Sequence, residues 1–115
     1  MERATRLANY LREQARWRGD KAAEYDDDRN TQSGLALLDA AEYVEQLPDD
    51  DPRLARLDRA HCFTVPDVFC AGEEVGHAVR LHYFHGATGS PSQFLDDLAG
   101  AAENDAKQDA DLDRP

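Results

Sequence analysis

Apolar residues recur at helical spacing along most of this chain, and short polar or proline-bearing breaks separate the runs. From Glu2 to about Glu24 there is no proline and only one glycine, and Ala4, Leu7, Ala8, Leu11, Ala15 and Ala22 fall on one face of a helix. Gly19 weakens that helix by roughly 1 kcal/mol relative to alanine, so fraying or a bend is expected near that point. The acidic run 26–30 then forms a connection rich in N-cap residues. A second helix is predicted over 29–47, with Leu37, Ala40, Ala41, Val44 and Leu47 as its stripe and Leu35 and Leu38 on the shoulder. Pro48 stops it. A connection this short makes the two helices an antiparallel hairpin.

Beyond the hairpin the punctuation is sharper. Asp51 followed by Pro52 is an N-cap and first-turn pair that starts a short helix over 52–61, carrying Leu54, Leu57 and His61 inward. Residues 62–70 are apolar but split by Pro66, which argues for a buried connector rather than a central strand. Thr64 and Asp67 have the spacing of a capping box, so a helical turn is expected to begin there. A fourth helix is predicted over 73–85, with Val75, Ala78, Val79, His82 and Tyr83 on one face and Gly86 as its C-cap. Ser90, Pro91 and Gln93 open a last helix over 91–104, striped by Phe94, Leu95, Leu98, Ala101 and Ala102. The expected architecture is all-α: a single helical domain over 1–104, four or five helices built on the N-terminal hairpin, and a disordered acidic tail at 105–115. Residues 103–115 hold one leucine and no aromatic, too little apolar surface to offset the entropy of ordering.

Charge adds a bias without changing that picture. The formal net charge of −11 is uneven: residues 1–60 carry ten Lys or Arg against fourteen Asp or Glu, and residues 61–115 carry three against ten. A field of that sign repels phosphate backbones and anionic lipid, so neither nucleic acid nor a membrane surface is an expected partner. No window approaches the roughly 20 apolar residues of a membrane span, and the N-terminus lacks a signal-peptide core, so a cytoplasmic location is expected. Two cysteines, Cys62 and Cys70, make no disulfide framework, and in a reducing compartment they read as small buried hydrophobes.

Candidate chemistry is sparse. All four histidines lie between 61 and 85, and Glu74, His77, His82 and His85, with the cysteines nearby, suggest a metal site. Glu74 and His77 are one turn apart, but Glu74 and His85 would sit roughly 16 Å apart along one helix, too far to share an ion. The carboxylate-bridged di-iron pattern needs two ExxH motifs and two further Glu, and no second ExxH is present, while the cysteine spacing is wider than in zinc knuckles. Structural histidines are therefore expected, with metal binding by the 61–85 segment as the alternative function. Cys70 precedes a helix start, which would favour a thiolate, but Glu73 and Glu74 oppose it, and no serine elbow or phosphate loop appears. No enzymatic activity and no cofactor are expected.

The first helix holds a local excess of cations, with Tyr10 and Trp17 interleaved among them. Tyr10, Arg12, Gln14, Arg16, Trp17 and Lys21 form the candidate partner-binding face, because Trp, Tyr and Arg are the residues that anchor protein interfaces. The competing reading is a solvated face with its aromatics at the core edge. The expected function is a non-enzymatic interaction module that binds a protein partner or self-associates through the hairpin.

The segments Tyr-Leu-Arg-Glu-Gln-Ala-Arg-Trp-Arg at 10–18, Lys-Ala-Ala-Glu-Tyr at 21–25 and Leu-Pro-Asp-Asp-Asp-Pro-Arg-Leu at 47–54 lie within Leu7–Leu57. This half of the chain resembles small uncharacterised helical proteins of GC-rich actinobacteria. The resemblance implies a helical fold and a bacterial origin. It attaches no activity and transfers no site residue.

Overall fold

The computed structural model describes residues 2–25, 28–81 and 90–112. They form five helices in chain order, α1 (Arg3–Tyr25), α2 (Asp28–Glu45), α3 (Pro52–Arg59), α4 (Glu73–Leu81) and α5 (Pro91–Leu112), with no strand among the described residues. The fold is all-α.

The hairpin forms as the apolar spacing requires. Ala4, Leu7, Ala8, Leu11 and Ala15 of α1 meet Leu37, Ala40, Ala41 and Val44 of α2, all buried. Each leucine removed from water contributes about 2 kcal/mol. Small residues let the backbones approach, and a Cβ added at Gly34 would lie 3.3 Å from the Ala15 carbonyl oxygen. Gly19, expected to bend α1, has nothing within 4 Å of its own Cβ position and sits in an unbroken helix. Leu35 and Leu38 stay outside the hairpin, 53% and 46% exposed.

Helix α5 closes the domain by packing on α2, α3 and α4. It buries Phe94, Leu95, Leu98, Ala99 and Ala102. The Ser90 hydroxyl caps it, accepting from the Gln93 amide at 3.2 Å, while the Gln93 side chain turns away to Asp97. Asp51 caps α3 as expected, accepting from the Arg53 amide at 2.9 Å.

Three expectations are corrected. The short helix ends at Arg59, and His61 does not point inward: it is exposed, at φ 70°. The His61 amide donates to the Asp58 carbonyl and the Cys62 amide to the Leu57 carbonyl, at 3.0 and 3.1 Å. These paired bonds are a Schellman termination, in which His61 supplies the left-handed residue that glycine usually fills. Next, no helical turn begins at Thr64. Asp67 adopts φ 65° and Thr64 donates back to the His61 carbonyl, so the connector is a series of turns. Finally, α5 runs through Leu112 instead of ending at 104. The physical reason is Asp105, whose carboxylate accepts from the Glu74 and Val75 amides at 2.9 and 3.1 Å. An acidic stretch that reads as solvent-seeking is tied to the first turn of α4. Helix α2 ends at Glu45, two residues short of the predicted 47, and residues 82–85 of the predicted fourth helix lie outside the described residues. The expected C-cap at Gly86 lies outside the described residues.

Candidate functional site

At about 100° per residue, the six candidate partner-binding residues divide between opposite flanks of α1. Tyr10, Gln14, Trp17 and Lys21 lie on one side of the buried stripe, and Arg12 and Arg16 on the other. They are two surfaces.

On the second flank Arg12 is committed within the hairpin. Its guanidinium grips both oxygens of Glu45 on α2, at 2.8 and 2.6 Å. That bond holds the Glu45 carboxyl below the usual carboxylate range. Arg16 is exposed.

On the first flank the residues grade from core to solvent. The Tyr10 ring packs on Phe69 of the connector, with centroids 5.0 Å apart, and burial raises its hydroxyl pKa. Around Tyr10 the connector is drawn onto α1 by Arg6, which donates to the carbonyls of Phe63, Val65 and Val68. One turn further along, Gln14 and Trp17 combine with Glu13 and with Arg80 of α4 to line a hollow of about 410 Å³. Trp17 is 44% exposed. The Arg18 guanidinium lies 4.9 Å and the Lys21 ammonium 5.7 Å from its ring centroid, within cation–π range. Arg18 also donates to the Arg80 carbonyl, fastening α1 to α4, and burial lowers its pKa with help from the Arg80 charge. The result is a partly exposed indole set among cations in a concave setting.

The alternative metal residues are not brought together. Glu74 lies half-buried in the first turn of α4, and His77 is exposed one turn on. His82 and His85 lie outside the described residues. Among the described residues no group of three or more His, Cys, Asp and Glu could hold a metal ion. Cys62 and Cys70 do share a hollow of about 180 Å³ with His61 and Asp105. Burial, with the Asp105 charge behind it, pushes the Cys62 thiol up to about 12, the reverse of what a nucleophile or thiolate ligand requires.

Sequence reasoning missed Arg53 and Asp105. Arg53 reaches the Asp51 carboxylate, the Tyr43 hydroxyl at 2.7 Å and the Ser92 hydroxyl at 2.8 Å, joining α2, α3 and the start of α5. Nothing local marks the bonds to Tyr43 and Ser92, since those partners lie 10 and 39 positions away. Asp105 is likewise 31 positions from Glu74. No helix among the described residues is long and apolar enough to cross a membrane. No family model, curated protein or solved structure matches this chain.

Proposed function

We propose that this chain is a non-enzymatic protein-interaction module whose working surface is the Trp17 flank of α1. The observation that carries the reading is the partly exposed Trp17, set beside the Arg18 and Lys21 side chains in the hollow it shares with Glu13, Gln14 and Arg80. Aromatic and guanidinium groups held in a concavity are the anchors that dominate association energies, because a partner desolvates them together. The cations select a partner segment that offers carboxylates around an apolar side chain. A second copy of this acidic chain meets that description, which makes self-association the simplest form of the proposal. The overall negative charge disfavours nucleic acid and anionic lipid in the same role.

Trp17 is the only tryptophan, so its fluorescence reports on this surface alone. Raising the protein concentration, or adding native cell extract, should shift its emission to the blue and slow its tumbling, and Lys21→Glu should weaken both effects. A solvent-like emission under every condition, with a monomer mass by light scattering and no protein captured by wild type and lost with Trp17→Ala, would overturn the reading.

A further inference from the structure

The connector between α3 and α4 is a nine-residue loop, 62–70, pinched at its neck. There the Cys70 amide donates to the Cys62 carbonyl at 2.8 Å. With ordinary backbone dimensions, that bond keeps the two Cα atoms within about 6.7 Å, inside the roughly 4.4–6.8 Å that a disulfide spans. Both side chains line the same hollow, Cys62 buried and Cys70 partly exposed. The body of the loop is secured independently of the neck. Arg6 donates to three of its carbonyls, and Phe63 meets Phe69 edge-on at 5.5 Å. The thiols are therefore held near each other by contacts that do not involve sulfur.

We propose that Cys62 and Cys70 are a disulfide-forming pair, so that the neck of this loop is a redox-sensitive staple. With a low-molecular-weight disulfide such as oxidised glutathione, the accessible Cys70 thiolate attacks one sulfur. The S–S bond of the reagent breaks, and one glutathione leaves as its thiol. The Cys62 thiolate then attacks the Cys70 Sγ of the mixed disulfide and releases the second glutathione. The protein gives up two protons and two electrons, and the reagent takes them up to become two thiols. The closing step accelerates as pH rises, because only the thiolate attacks and burial keeps Cys62 protonated.

The test treats the reduced, full-length chain with oxidised glutathione, blocks residual thiols and measures mass. The expected product has lost two hydrogens and carries no glutathione. Cleavage before Asp67 should leave the fragments bearing Cys62 and Cys70 joined until a reductant is added. A staple closing so short a loop should raise the melting temperature by roughly 10 °C, reversed by dithiothreitol. Cys70→Ser, at the more exposed position, keeps the core residue and should abolish mass loss and thermal shift together. Two free thiols after exhaustive oxidation, a persistent glutathione adduct on Cys70, or disulfides only between chains would each overturn the proposal.

Discussion

Replacing Asp105 by alanine removes a cap that α4 takes from the far end of the domain. Both carboxylate oxygens are engaged, Oδ1 by the Glu74 amide and Oδ2 by the Val75 amide. The first turn of α4 also directs its dipole at that charge. Loss of a capping side chain costs about 0.5–2 kcal/mol, and loss of an anion at a helix N-terminus a further 0.3–1. Asp105 is partly buried, so Asp105→Ala is expected to cost about 2–3 kcal/mol, a fall in melting temperature of roughly 10 °C. Asp105→Asn keeps one acceptor and loses the charge, and about half that cost is expected. Urea unfolding followed by circular dichroism measures the change, and amide exchange locates it. The Glu74 and Val75 amides should lose protection well before those of α1. Asn104→Ala, at the exposed neighbouring position, should stay within about 0.5 kcal/mol of wild type. An Asp105→Ala protein as stable as that control, with both amides still protected, would refute the capping argument.

Two further changes follow from local geometry. The Arg53 hydrogen bonds hold the Asp51 carboxyl below its ordinary range. Its stabilising contribution is therefore present above the unfolded value near pH 4 and lost as pH falls toward the lower folded value. Asp51→Asn keeps a good N-cap, so acid titration of its stability should be flatter than wild type below about pH 4. An unchanged acid limb would show that Asp51 is not linked to folding. His61→Gly relieves a left-handed backbone at the end of α3 and should stabilise by about 1 kcal/mol in urea. Destabilisation there would mean that the imidazole itself contributes a contact.

Where periodicity and punctuation acted within a few residues, the sequence was legible. The buried faces of α1, α2 and α5 match their stripes, and the Asp-Pro and Ser-Pro starts of α3 and α5 fall where they were read. What escaped was carried by bonds across the fold. The acidic composition of 103–115 predicted a tail because nothing in it reveals that one carboxylate meets two amides 30 and 31 positions back. His61 read as part of an inward stripe because the stripe was carried one turn past the Schellman termination. The candidate surface suffered from the same blindness. A list of Arg and aromatic residues does not show that Arg12 is consumed by Glu45, or that Arg80 completes the wall beside Trp17.

The two flanks of α1 are completed at very different moments in the life of the chain. One side meets α2, the next helix in the chain, so it is covered soon after it is made. The other waits for Phe69 to reach Tyr10 and for Val68 to reach Arg6, 62 positions later. At ribosomal rates of about 5–20 residues per second, the strip bearing Tyr10 and Trp17 stays bare for roughly 3–12 s of every synthesis. A nascent hairpin with its aromatics showing is what chaperones bind. The strip that carries the proposed partner surface is thus the one most in need of an escort while the chain is being made.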